Sequence, residues 1–173
     1  ALATTATTAT GVGSYAITQG TVTNANNTNY AIAYTSGTLT VAVRDITVTA
    51  DNKTRKYGNA NPALTWTVGG DGLVNGDTLT GALATTATTA TGVGSYAITQ
   101  GTVTNANNTN YAIAYTSGTL TVAVRDITVT ADNKTRKYGN ANPALTWTVG
   151  GDGLVNGDTL TGALATTATT ATG

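Results

Sequence analysis

The sequence predicts a mainly β chain of small tandem β-sandwich (Ig-like) modules, and three observations carry that prediction. Thr makes up about a quarter of the 173 residues and, with Val, Ile and Tyr, favours extended backbone. Apolar and polar residues alternate at period two in several short runs. Residue i equals residue i+81 at all 92 positions that can be compared, so the chain is an array of copies rather than one irregular domain.

Side-chain parity sets the register of the folding unit. Leu120, Val122 and Val124 share one parity, whereas Ile127 and Val129, beyond Arg125-Asp126, share the other. A one-residue slip turns every side chain of a strand to its other face. One straight strand therefore cannot serve a single core on both sides of that pair. Arg44-Asp45 and Arg125-Asp126 are read as minimal inter-domain linkers, which divides the chain into residues 1–43, the closing half of one domain, residues 44–124, a complete domain, and residues 125–173, the opening half of the next. The first residue is not Met, and the chain is taken as a piece of something longer.

Within the complete unit six strands are expected in order. Ile46, Val48 and Ala50 line the first, and Leu64, Trp66 and Val68 line the second, which follows the Asn61-Pro62 turn signal. A weaker third strand runs from Thr80 to about Ala84. Tyr96 and Ile98 mark the fourth, Tyr111, Ile113 and Tyr115 the fifth, and Leu120, Val122 and Val124 the sixth. Ser117-Gly118 reads as a tight hairpin between the last two. Residues 73–79 could hold one short helical turn, which leaves a β-grasp arrangement as the alternative to the sandwich.

Composition removes most chemistry. The chain has no Cys, His or Met, and its eight acidic residues are all Asp, balanced by eight Lys and Arg. Thiol nucleophiles, thiolate metal sites and the usual imidazole base are absent, so the chain is not expected to be an enzyme. Zero formal net charge disfavours nucleic acid as a partner. No apolar run is long enough to insert in a membrane as a helix.

Two clusters are candidate sites. Asp71, Asn75 and Asp77 are oxygen donors on a Gly-rich loop and form a weak candidate for calcium, although the loop lacks the Glu that closes an EF-hand and the acidic spacing of nonapeptide calcium repeats; no cofactor is otherwise expected. Lys53, Arg55, Lys56 and Tyr57 are a candidate ligand surface for phosphate or surface glycans. Strand alternation puts Lys53 and Arg55 on one face, expected to be a solvated edge that resists sheet-to-sheet association.

The motifs KYGNANPALTW (Lys56 to Trp66), GLVNGDTLTG (Gly72 to Gly81), VGSYAIT (Val93 to Thr99), NYAIAY (Asn110 to Tyr115) and SGTLTV (Ser117 to Val122) occur in this order. The string from Ile46 to Val122 resembles the MBG-type repeat of large bacterial surface adhesins and filamentous-haemagglutinin-like proteins. The resemblance implies an extracellular tandem β module at the bacterial cell surface, a spacer in an adhesin stalk or filament, with no catalytic residues to carry over. An elongated rod is then expected, whose partners are neighbouring identical repeats, in the same chain or end to end between chains. A multivalent glycan- or mucin-binding module is the alternative, since repeated weak sites gain avidity.

Overall fold

A computed structural model describes residues 1–171. The architecture is mainly β, as the alternation predicts: β1 (Gly13–Ile17), β2 (Gly37–Val41), β3 (Arg44–Ala50), β4 (Lys53–Lys56), β5 (Trp66–Gly70), β6 (Gly94–Ile98), β7 (Tyr111–Thr116), β8 (Gly118–Ala123), β9 (Ile127–Ala131) and β10 (Trp147–Gly151). They form four small sheets, ordered β1-β2, β5-β3-β7, β4-β8-β6 and β10-β9. Among the described residues the only helices are two three-residue 3-10 turns, Asn24–Asn26 and Asn105–Asn107. The arrangement is sandwich-like, and among the described residues the short helical turn of the β-grasp-like alternative does not form at 73–79.

The chain divides into two compact units. One comprises Ala1–Lys53, Ala63–Thr86 and Ala97–Leu120; the other comprises Thr54–Pro62, Ala87–Tyr96 and the residues from Thr121 onward.

In the first unit β3 is the central strand. Every second residue, Ile46, Val48 and Ala50, is buried, because successive side chains of a strand point to opposite faces. β5 pairs with it antiparallel, Ile46 opposite Gly70 and Ala50 opposite Trp66. On its other side β7 runs parallel, Arg44 opposite Tyr111 and Thr49 opposite Thr116. Ile46, Val48 and Tyr111 form the core, with Trp66, Val68, Leu73, Leu79, Ile113 and Tyr115 packed on it. Full burial of each such aliphatic side chain is worth about 1.5–3 kcal/mol.

Three expected elements differ. The third strand is absent: Ala84 makes only an isolated bridge to Thr99, while the side chain of Asn108 takes both backbone groups of Thr80, accepting from its N–H at 2.8 Å and donating to its carbonyl at 3.0 Å. A carboxamide thus replaces a neighbouring strand there. The helical turn at 73–79 is replaced by a tight turn through Asn75 (φ 57°) and Gly76 (φ 76°), closed by the Asp77 N–H on the Val74 carbonyl at 2.9 Å. Paired positive φ values suit Asn-Gly and exclude a helix. Ser117-Gly118 is not a hairpin, since β7 and β8 lie in different sheets. Gly is required at the crossing because a Cβ on Gly118 would lie 2.7 Å from the Ala50 carbonyl oxygen.

In the second unit β9 pairs antiparallel with β10, Ile127 opposite Gly151 and Ala131 opposite Trp147. This repeats the β3–β5 register 81 residues later.

Candidate functional site: the Arg-Asp junctions

Each Arg-Asp pair lies inside one unit, Arg44-Asp45 in the first and Arg125-Asp126 in the second. Arg44 and Asp45 are the first two residues of β3, paired with Tyr111 and Ala112, so they do not act as a spacer. The Arg44 side chain curls onto the loop after β5: Nε donates to the Gly72 carbonyl at 2.9 Å and the guanidinium reaches the Asp71 carbonyl as well. Arg44 N–H donates to the Asn110 carbonyl at 3.0 Å, while the Asn110 side chain accepts from Val12 N–H at 3.0 Å. Asn75 Nδ2 donates to the Thr8 carbonyl at 3.2 Å.

In the second unit Arg125 repeats the clamp, with Nε on the Gly153 carbonyl at 2.9 Å and a terminal nitrogen on the Asp152 carbonyl at 2.6 Å. Asn156 repeats the reach of Asn75, donating to the Thr89 carbonyl at 3.2 Å. Here the guanidinium also faces backwards along the chain. Its other terminal nitrogen donates to Asn59 Oδ1 at 3.0 Å and to the Tyr57 carbonyl at 3.3 Å. A planar fork with five fixed donors suits this many acceptors at once.

A cation from the earlier copy meets acids from the later one beside that fork. Lys56 Nζ lies 2.8 Å from Asp126 Oδ2 and 2.7 Å from Asp152 Oδ2. The hydrogen bonds to Asp126 and Asp152 raise the Lys56 pKa above its ordinary 10.5, and the hydrogen bond from Lys56 lowers that of Asp152 below 3.8. Both groups sit in solvent, so the pair orients the junction more than it stabilises the fold. Gly58, at φ 84°, packs so closely that a Cβ would lie 2.3 Å from Val155 Cγ2.

A family model described as the MBG domain, YGX type, matches residues 1–40, 46–121 and 127–173. The chain belongs to that family. MBG domains are repeat modules of extracellular surface proteins. No curated protein and no solved structure matches the chain. In this MBG array the Tyr-Gly-X tripeptide occurs as Tyr57-Gly58-Asn59 and again as Tyr138-Gly139-Asn140; the first lies at the second junction, where Tyr57 and Asn59 offer oxygens to Arg125 and Gly58 packs on Val155.

Lys53, Arg55 and Lys56 lie on β4 with Tyr57 beside it, and their contacts differ. Arg55 is buried, 6% exposed, which corrects its placement on a solvated edge. The burial is tolerated because its guanidinium is hydrogen-bonded throughout, Nε to Asn61 Oδ1 at 2.7 Å and the terminal nitrogens to the Lys56 and Thr88 carbonyls. Lys53, in the first unit, donates to Thr65 Oγ1 at 2.6 Å and lies 3.9 Å from Asp51. Tyr57 N–H donates to the Ala123 carbonyl at 2.9 Å.

The calcium candidates also serve separate partners. Asp77 Oδ2 accepts from the Tyr111 hydroxyl at 2.6 Å, Asn75 holds Thr8, and Asp71 offers its carbonyl to Arg44. The hydrogen bond to Asp77, with burial, raises the Tyr111 pKa. Among the described residues no three acidic, His or Cys side chains gather as a metal site, and no helix is long and apolar enough to cross a membrane.

Asn108 and Asn110 matter to this architecture and carried no signal of their own in an Asn-rich stretch. Both are short amides that satisfy backbone groups of other segments, a role that leaves no periodicity in sequence.

Proposed function

We propose that the chain is a non-catalytic structural array, in which MBG repeats space or build the stalk or filament of a secreted adhesin at the bacterial cell surface. The observation that carries this is the Arg125 guanidinium, which takes acceptors from Tyr57 and Asn59 before it and from Asp152 and Gly153 after it. One side chain thereby fixes the direction in which the chain enters the next copy. The part of the clamp that recurs at Arg44 is the hold on its own repeat, at the Gly72 and Asp71 carbonyls.

The glycan-binding alternative is less favoured, because the Lys53, Arg55 and Lys56 side chains already hold protein partners and Arg55 is buried. Small-angle scattering on arrays of increasing copy number tests the proposal. The maximum dimension should rise by a constant step per repeat; a compact or freely jointed envelope would refute it.

A further inference from the structure

The complete repeat begins and ends in one parallel register. In the first unit β3 and β7 run parallel, from Arg44 opposite Tyr111 to Thr49 opposite Thr116. Past the end of β3, Thr119 N–H donates to Asn52 Oδ1 at 2.8 Å across the same offset of 67 residues. In the second unit Tyr57 N–H donates to the Ala123 carbonyl at 2.9 Å, just as Arg44 N–H donates to that of Asn110 at 3.0 Å in the first. Each acceptor stands one residue before the partner that this offset assigns, which is the slanted bond of a parallel ladder. β4 and β8 are neighbours in their own sheet, so the two segments keep their register while both change sheets. Gly118, with no Cβ to strike the Ala50 carbonyl, permits the change.

Connectivity explains why β3 draws this partner from the far end of its own repeat. Residues 30–35 have the sequence of β7, but only residues 36–43 join them to Arg44. Parallel neighbours need a crossover of about a dozen residues or more. Between β3 and β7 the chain supplies one, through β4, β5 and β6.

This order of strands decides how the repeat meets a pull along the chain. Tension enters at Arg44, the start of β3, and leaves at Val124, just beyond β8. In an antiparallel pair such as β3 and β5, the start of one strand lies beside the end of the other. Pulling on those two ends opens the ladder one bond at a time. In a parallel pair the same two ends lie at opposite ends of the ladder, so the pull runs along the strands and loads every bond at once.

We propose that β3 and β4, held in parallel by β7 and β8, form a shear clamp that makes each repeat a load-bearing link of the array. Asn52 carries the clamp across the gap between β3 and β4, where its side chain takes the place of a backbone carbonyl as partner of Thr119 N–H. The proposal rests on reading the chain as a structural array and adds the load that the array withstands.

Single-molecule force spectroscopy on the full 173-residue chain tests it, with handles on pairs of introduced cysteines, since the native chain has none. Val43→Cys with Val124→Cys pulls along the clamp. Val43→Cys with Thr109→Cys pulls the starts of β3 and β7 apart and peels the same ladder. All three positions are exposed. Forced unfolding reads the barrier and not the equilibrium stability, so rupture along the clamp should need at least about twice the peeling force at equal loading rate. Equal forces, or a lower force along the clamp, would overturn the proposal. Asn52→Ala should lower the force along the clamp and leave the peeling force unchanged, because peeling starts at the far end of the ladder. Undiminished strength along the clamp in that variant would also overturn it. Scattering reads the shape of the unloaded array and rupture reads its strength, so the structural reading and the clamp can fail separately.

Discussion

Residues 44–50 and 125–131 have the same sequence, yet the first seven form one continuous strand while only the last five of the second do. Val48 is fully buried, and its repeat Val129 is 48% exposed. The difference is the parallel neighbour: β3 has β7, and β9 has none among the described residues. Alternation decides which residues face inward, and a non-local partner decides how far the strand extends and how dry its face becomes. Structure common to both copies, such as the 3-10 turns at Asn24–Asn26 and Asn105–Asn107 and the Arg clamps, is written into local sequence. Structure present once depends on partners distant along the chain.

The sharpest way to break this comparison is to mutate the same residue in both contexts. Tyr111→Ala removes a buried ring and its bond to Asp77 and should destabilise the complete repeat by about 3–5 kcal/mol. In dilute monomer Tyr30→Ala should cost less than about 0.5 kcal/mol, as surface changes do. Urea denaturation of each variant measures both. Similar losses at the two sites would show that exposure does not separate the copies.

Asn108→Ala should follow, at about 1–3 kcal/mol, because it leaves the Thr80 N–H and carbonyl without their partner. Asn27→Ala should cost less, since the Asn27 side chain donates only to its own turn, at the Thr23 carbonyl. Thermal unfolding of the two variants gives the ranking.

The smallest effect concerns the junction. Lys56 has a raised pKa, so the stabilisation it lends is complete below its ordinary 10.5 and is lost as pH rises through the folded value. Asp152 has a lowered pKa, so its share is present above 3.8 and is lost as pH falls through the folded value. Lys56→Gln should flatten the pH profile of the second unit's melting midpoint at both ends, whereas Lys137→Gln, one repeat on, should leave it unchanged. Added salt should mimic Lys56→Gln, because exposed pairs are screened.

Much of this was legible in sequence, and what was not has identifiable causes. The inward faces of β3 and β8 followed from period-two alternation, and so did the change of parity at Arg125. β4 was legible as an alternating basic edge, Lys, Thr, Arg and Lys, but the burial of Arg55 was not, because Asn61 and Thr88 supply its acceptors from elsewhere. The hairpin expectation at Ser117-Gly118 failed because Gly also serves close backbone approach, here to Ala50. The partner of β3 cannot be chosen by residue preference at all, since residues 30–35 and 111–116 are identical. The eight-residue link ahead of Arg44 makes the choice.

Two 81-residue chains of identical composition test the central claim most directly: residues 44–124, cut at the Arg-Asp pairs, and residues 1–81, cut at the start of the copy. The first contains β3 and β7 with a crossover between them, and the second offers only the eight-residue link. Residues 44–124 should melt cooperatively as a monomer, and residues 1–81 should either self-associate or lose the cooperative transition. A monomeric 1–81 chain melting within about 2 °C of the other would contradict the account.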